Sequence, residues 1–232
     1  STPKAGANDE ITVTAYDEAE NRATGYTGAK TLVFSGLASA ATGEKAKVEA
    51  VELGSDTPVT FTDGVSNAGS ATLIAYKAET ASLDAAEKGS TINSGSYGAV
   101  LTVAPGNPYT LTIVTPPTTT VDGTVDTILT PNTVINAKDQ YGNNCQNGVQ
   151  IVAALDTGMG TLRGTTTVAI ADGTGNATFT DLGYSKSGET FKLSFDAVTG
   201  DAEAVVSDSI AALKAGNPYT LTIVTPPTTT VD

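Results

Sequence analysis

The chain has 232 residues, a hydrophobic content of 39% and a formal net charge of −13 at pH 7. Such an acidic surface repels nucleic acid and anionic membranes, so neither a nucleic-acid partner nor membrane insertion is expected. Histidine is absent, which excludes Ser-His dyads, Cys-His dyads and the usual zinc sites, and no enzymatic activity is expected.

Short alternating segments in the first part of the chain predict β-strands. These segments are Ile11–Ala15, Leu32–Phe34, Val48–Leu53, Val59–Phe61, Ala71–Tyr76 and Ala99–Val103. Residues Thr80–Lys88 are rich in Ala and Glu and could form a helical turn. Because this stretch is short and lacks a clear apolar stripe, a loop or a strand is predicted there.

The sequence GNPYTLTIVTPPTTTVD occurs twice without any change, at 106–122 and at 216–232. Identity over this length marks an internal repeat, which divides the chain into units of about 110 residues. The predicted organisation is a first unit at 1–106, a second unit at 107–216 and a strand at 217–232 that belongs to a following domain or subunit.

The repeated segment reads as a single edge strand. Tyr109, Leu111 and Ile113 alternate with threonines and therefore fall on one face. Pro116 and Pro117 cannot donate to a ladder, so the strand must end or change partner there.

The second unit predicts further short strands separated by clusters of turn residues. Their apolar segments are 128–138, 149–155, 166–170, 176–182, 190–197 and 203–213. About seven short strands in a hundred residues is the pattern of a β-sandwich.

The two units share a second motif, since Ala15–Asn21 aligns with Ala137–Asn143. Counting back from Asp17 without a gap places Ser1 opposite Gly123. The first unit is therefore expected to lack the strand that opens the second unit, and the C-terminal copy of the repeat carries that missing sequence.

Three motifs of the second unit resemble the bacterial immunoglobulin-like (Big/invasin-type) repeats of large surface adhesins, fibres and S-layer-associated proteins. They are the Pro-Tyr-Thr-Leu-Thr-Ile segment with its Pro/Thr-rich extension at 108–120, the Asp139–Asn143 turn, and the hairpin Asp172–Phe179. The resemblance implies an all-β chain of two tandem immunoglobulin-like β-sandwich domains at the cell surface or outside the cell.

The incomplete first unit predicts that the chain binds copies of itself. A unit without its edge strand exposes a groove, and the C-terminal strand of another copy could fill it and build a head-to-tail filament. The residues expected at this interface are Tyr219, Leu221, Ile223, Tyr109, Leu111 and Ile113. The alternative is a passive tandem spacer of a long adhesin, in which the same strand packs against its neighbour within one polypeptide.

A carbohydrate-binding module is an alternative from another class. Sugar platforms need exposed aromatic rings, and the chain has no Trp. The tyrosines expected in or near loops are Tyr16, Tyr26, Tyr76, Tyr97, Tyr141 and Tyr184. Scanning these residues to alanine on glycan arrays would separate this alternative from a spacer.

Oxygen-rich turns make calcium a possible ligand. Asp17, Glu18 and Asn21 lie in one turn, and Asp139 and Asn143 lie in its counterpart. Calcium takes six to eight oxygen ligands from such residues. The same residue types are also what tight turns require, so both interpretations stay open.

Overall fold

The computed structural model describes residues 2–119, 123–171 and 173–224. Its regular secondary structure in these ranges is β-strand, apart from one short 3-10 helix at Gly95–Tyr97. The prediction of an all-β chain is therefore confirmed. Within the same ranges, no helix has the length and apolar character needed to cross a membrane.

The first unit consists of two antiparallel sheets. Its strands are β1 (Asn8–Glu10), β2 (Gly28–Ser35), β3 (Lys47–Val48), β4 (Val51–Glu52), β5 (Asp56–Thr62), β6 (Val65–Ser66), β7 (Thr72–Ile74), β8 (Thr80–Glu87) and β9 (Ala99–Thr102). One sheet has the order β1-β7-β3-β4, and the other has the order β6-β5-β2-β8-β9. In β5 the side chains of Thr57, Val59 and Phe61 are buried and alternate with exposed residues, as a strand with one face on a core requires.

The second unit repeats this plan. Its strands are β10 (Thr110–Thr115), β11 (Thr133–Lys138), β12 (Gln150–Thr157), β13 (Leu162–Arg163), β14 (Thr167–Ala169), β15 (Asn176–Phe179), β16 (Gly183–Tyr184), β17 (Lys192–Ala197) and β18 (Val205–Val206). The sheet orders are β10-β11-β15, β14-β12-β17-β18 and the pair β13-β16. The order β5-β2-β8-β9 of the first unit thus has its counterpart in β14-β12-β17-β18.

Each unit has its own hydrophobic core. In the second unit the rings of Phe179 and Phe195 pack with their centroids 5.4 Å apart, and Leu111 from β10 belongs to the same cluster. In the first unit Phe34 and Phe61 are the largest core side chains. Separate cores agree with the division of the sequence into two units, and the boundaries at 106 and 216 stay predictions.

The repeated strand behaves as expected in its first copy. β10 lies at the edge of its sheet and pairs only with β11. Its register shifts between Ile113 and Thr115, and the pairing ends at Thr115, directly before Pro116 and Pro117. The ladder ends here because proline has no backbone N–H to donate.

The predicted strand at Ile11–Ala15 does not form as a regular strand. β1 ends at Glu10, and the following residues make only isolated bridges, from Thr14 to Val65 and from Tyr16 to Arg22. Its counterpart β11 is a full strand because it lies between two partners, β10 and β15. The segment in the first unit has no neighbour corresponding to β10 among the described residues.

The ungapped alignment of the two units is also wrong by two residues. Lys4 forms a parallel bridge with Ala104, and Thr124 forms the same bridge with Lys214, so Lys4 and Thr124 hold equivalent positions. Counting back from Asp17 places them two positions apart. The second unit has a longer loop before β11, which accounts for the difference.

Two further expectations need correction. The predicted strand at 203–213 contains only β18, and Ile210 and Leu213 reach the core from isolated bridges. Tyr184, expected near a loop, is fully buried and stacks on Phe191 at 3.9 Å. At 203–213 the apolar residues indicated core contact, which does not require continuous strand pairing.

Candidate functional site

The loop after β11 is a tight turn organised by one carboxylate. The Oδ1 atom of Asp139 accepts hydrogen bonds from the backbone N–H groups of Tyr141 and Asn143, both at 2.9 Å. The backbone N–H of Asp139 donates to the carbonyl of Asn143 at 2.9 Å. Gly142 adopts a φ of +80°, which side chains with a Cβ rarely adopt. This geometry explains why Asp, Gly and Asn occur at this spacing.

The same turn contacts the first unit. The Nδ2 atom of Asn143 donates to the carbonyl of Tyr76 at 2.8 Å, and its Oδ1 accepts from the N–H of Ala78 at 2.9 Å. The ring of Tyr141 packs edge-on against Tyr76 with a centroid distance of 4.9 Å. A Cβ at Gly6 would lie 2.2 Å from the Tyr141 hydroxyl, so the ring fits only against a glycine. We call this set of contacts the joint.

The segment that connects the two units, at Gly106 and Asn107, also takes part in the joint. The backbone N–H of Gly106 donates to Asp139 Oδ2 at 2.7 Å, and Lys4 Nζ donates to Asn107 Oδ1 at 2.7 Å. Asp139 is only 3% exposed, and its carboxylate has N–H partners on both oxygens. Buried charge of this kind is stable only when it is fully hydrogen-bonded, so the turn, the connection and the first unit depend on one another.

The first unit contains the same turn, and no hydrogen bond joins it to the second unit among the described residues. Asp17 Oδ1 accepts from the N–H groups of Ala19 and Asn21 at 3.0 and 2.9 Å. Glu20 takes the position of Gly142 and has a φ of +62°. The amide and side chain of Asn21 lower the pKa of Asp17. This turn is exposed to solvent, in contrast to the buried Asp139.

The predicted calcium ligands therefore lie in two separate turns. Asp17, Glu18 and Asn21 are in the exposed turn, and Asp139 and Asn143 are in the joint. Among the described residues, no group of three or more His, Cys, Asp or Glu side chains is placed to hold a metal ion. The Asp17 and Asp139 carboxylates accept N–H groups, which point hydrogen atoms towards the oxygens a cation would need. Calcium binding stays a prediction.

An open groove runs along residues 11–16 of the first unit. It has a volume of about 840 Å³, and the buried side chains of Phe34, Phe61 and Leu83 contribute to its lining. Its opposite wall is formed by β8 and by residues 92–99. In the second unit the corresponding position is occupied by β10, which pairs with β11 and contacts β17 and β18. The groove thus lies where, among the described residues, the first unit has no strand equivalent to β10.

Burial along the groove differs between equivalent residues. Ile135 and Ala137 of β11, which pairs with β10, are fully buried in the core. Their counterparts Val13 and Ala15 are only half-buried. The greater exposure of Val13 and Ala15 therefore corresponds to apolar surface that is covered in the second unit and accessible in the first.

The groove has an apolar lining and a polar rim. Tyr26 packs edge-on against Phe61 at 4.9 Å, and burial, with a contribution from Glu87, raises the pKa of Tyr26 to about 12. At the rim the Tyr97 hydroxyl donates to Glu20 Oε1 at 2.9 Å. Such a lining suits an amphipathic strand with one apolar face and one polar face.

The C-terminal copy of the repeated strand is unpaired in its described part, which ends at residue 224. Leu221 is 96% exposed, whereas its identical counterpart Leu111 is 8% exposed. Tyr219 and Ile223 are likewise exposed. Residues 225–232 of the predicted strand lie outside the described residues, as does Asp172 of the predicted hairpin.

The first copy shows which faces of this strand contact a core. Leu111 is buried and Ile113 is partly buried, so two of the three predicted interface residues pack inward. Tyr109 is 55% exposed and lies at the margin of its sandwich. We therefore expect Leu221 and Ile223 to contribute more to an interface than Tyr219.

The tyrosines expected to stack on a sugar are dispersed. Tyr76 and Tyr141 pack against each other in the joint, and Tyr184 is in the core. Tyr16 and Tyr97 are exposed. The Tyr184 ring is therefore buried away from any ligand, and the half-buried Tyr76 and Tyr141 pack edge-on against each other rather than side by side on an exposed surface.

Sequence reasoning found the turn residues and missed their role between the units. Lys4 and Gly6 in the first unit gave no signal, because each is a common residue type in a loop, and Tyr76 was expected only as a ring near a loop that could stack on a sugar. Tyr141 offered one clue, since the equivalent position in the first unit is Ala19. A large ring gained in one of two related turns indicates a contact specific to that turn.

No protein-family model matches the chain, and no curated protein matches it. Among solved structures, the chain is similar to the FdeC adhesin of Escherichia coli, with 20% identity and a TM-score of 0.45 over 91% of this chain and 62% of that one. The adhesin InvE of Yersinia pseudotuberculosis gives 18% identity and a TM-score of 0.36 over 95% of this chain and 62% of that one. Domains 4 and 5 of the S-layer protein SbsC give 13% identity and a TM-score of 0.34 over 92% of both chains.

The chain spans about 62% of the first two of these structures.

Proposed function

We propose that this chain is a non-enzymatic structural and adhesive module of an extracellular fibre or cell-surface layer. Its units assemble head to tail, and the strand beginning at residue 217 of one copy enters the groove of the first unit of another copy. The observation that carries this proposal is the coincidence of an open groove with an exposed strand whose identical twin fills the equivalent position in the second unit.

The donor and the acceptor are complementary in chemistry. The donor strand presents Leu221 and Ile223 on one face and threonines on the other. The acceptor offers the apolar groove with half-buried Val13 and Ala15 at its edge. Strand addition would supply backbone hydrogen bonds along this edge and cover apolar side chains of both partners.

Such a contact can be repeated from one copy to the next. The donor strand and the acceptor groove belong to different units of the chain, so the contact is heterologous and leaves a free groove and a free strand at the two ends. An acidic surface with 25 Asp and Glu against 12 Lys and Arg favours solubility of the subunits between contacts.

The second candidate is a passive tandem spacer. The joint favours it, because the contacts of Asn143 and Gly106 hold adjacent units in a defined arrangement without any ligand. In a spacer the groove would receive a strand of the same polypeptide, and isolated copies of this chain would not associate.

Light scattering over a concentration series separates the two candidates. We expect the intact chain to form linear oligomers that are lost on deletion of 217–232. We also expect Leu221→Asp combined with Ile223→Asp to abolish association, because two charges would enter an apolar groove. Repeating the series with calcium and with a chelator tests whether calcium strengthens the contact.

A monomer at every concentration would reject assembly through the strand and leave the spacer. Unchanged oligomers in the double variant would show that the chain associates through a different surface.

A further inference from the structure

We propose that the contact between two copies reproduces the joint within the chain, with Asp17 of one copy accepting a hydrogen bond from the backbone N–H of Gly216 of another. This bond sets the register of the donated strand, so that Leu221 lies opposite Ala15 and Ile223 lies opposite Val13. The inference rests on the proposed strand exchange and adds the geometry that aligns it.

The register follows from the first copy of the strand. In the second unit Leu111 pairs with Ala137 and Ile113 pairs with Ile135, in antiparallel orientation. The donor residues repeat identically in the C-terminal copy, and Ala137 has its counterpart in Ala15 through the aligned turns. Transferring this pairing places each inward side chain of the donor over the apolar edge of the groove.

The Asp17 turn already has the geometry that this contact needs. In both turns one carboxylate oxygen accepts two backbone N–H groups of the turn itself. In the joint the other oxygen, Asp139 Oδ2, accepts the N–H of Gly106. Among the described residues, the equivalent oxygen, Asp17 Oδ2, accepts a hydrogen bond from the Asn21 side chain alone, at 3.3 Å. It is therefore oriented to accept one more donor.

The contact also explains why the residue whose N–H donates is a glycine, Gly106 in the first copy of the segment and Gly216 in the second. A Cβ at Gly106 would lie 3.0 Å from Asp139 Cβ and 3.1 Å from Asp139 Oδ2, so a side chain there would crowd the engaged carboxylate. A Cβ at Gly216 would lie 3.7 Å from Val125 Cγ2, an ordinary van der Waals contact, so the surroundings of Gly216 in the isolated chain do not require glycine. The neighbouring position is different, since Pro105 in the first copy is replaced by Ala215.

Proline substitutions test the hydrogen bond with a matched control. Gly216→Pro removes the donating N–H, and we expect it to weaken association on the order of tenfold. Ala215→Pro restores the residue found in the first copy and should leave association unchanged. Equal association of Gly216→Pro and the intact chain would overturn the role of Asp17.

Cysteine pairs test the register. Thr112 pairs with Asn136 in the second unit, so a chain with Thr14→Cys and Thr222→Cys should form disulfide-linked ladders between copies on oxidation. Thr14→Cys with Thr220→Cys is two residues out of register, beyond the Cα separation that a disulfide spans, and should not cross-link. Cys145 is buried and burial raises its pKa to about 11, so it should not take part.

The outcomes distinguish the inference from the proposed function. If the intact chain forms oligomers that need 217–232 but only the out-of-register pair cross-links, the register is wrong and strand exchange stands. The same conclusion follows if neither pair cross-links. If the intact chain is monomeric throughout, both are overturned.

Discussion

Replacing Leu221 by alanine should weaken self-association by roughly 30- to 150-fold. The side chain is 96% exposed in the isolated chain, and its twin Leu111 is 8% exposed once paired. Burial of a leucine side chain contributes about 2–3 kcal/mol, and each 1.4 kcal/mol corresponds to about a factor of ten in affinity. Because Leu221 is exposed in the isolated chain, the same substitution should leave the free energy of unfolding unchanged.

Sedimentation velocity over a concentration series measures this effect. Thr222→Ala is the matched control, because its twin Thr112 is exposed and faces away from the core. Thermal unfolding of both variants checks that the fold is intact. If Leu221→Ala and Thr222→Ala associate equally well, the groove does not receive the apolar face of the strand, and the reasoning fails.

Three further predictions concern the joint and the core. Asn143→Ala removes two hydrogen bonds to the first unit, so it should lower the free energy of unfolding by about 1–3 kcal/mol. It should also broaden the distribution of distances between the units in small-angle scattering, whereas Asn21→Ala should leave that distribution unchanged. Gly6→Ala should destabilise the chain more than Gly28→Ala does in thermal unfolding, since both have a φ of +79° but only the former places a Cβ against a ring; equal losses would mean that the ring is not fixed there. Burial raises the pKa of the Cys145 thiol from 9.0 to about 11, so its contribution to stability is complete below pH 9 and is lost as the pH rises towards 11. Ellman's reagent at pH 8 should react with this thiol only after unfolding, and rapid reaction of the native chain would contradict its burial.

The fold class was predictable because period-two alternation and turn clusters are local properties. The strands at Thr133–Lys138 and Lys192–Ala197 were found this way. The strand expected at Ile11–Ala15 was not formed, although its alternation is equally clear. Regular pairing depends on neighbours that a local pattern does not reveal, and among the described residues no strand equivalent to β10 pairs with this segment.

The candidate site was predictable in part. The repeat itself led to the prediction of a donor strand with Leu221 and Ile223 at its interface, and that interface stays a prediction; the structure adds that both side chains are exposed. The joint was not predicted, because the contacts of Asn143 are with the main chain of Tyr76 and Ala78. Main-chain groups occur at every position, so they leave no mark on the sequence that could point to the contact.

Because Asn143 binds main-chain groups, the joint makes few demands on the side chains of the neighbouring unit. The Asn143 amide recognises a carbonyl and an N–H whose positions are set by the path of the backbone, whatever side chains the neighbouring unit carries there. A unit with this turn could therefore be duplicated, exchanged or recombined behind many different predecessors and still dock through the amide. Gene duplication could lengthen the polypeptide one unit at a time while each predecessor diverged freely. The Tyr141 ring is more demanding, because it packs against the Tyr76 ring and against Gly6.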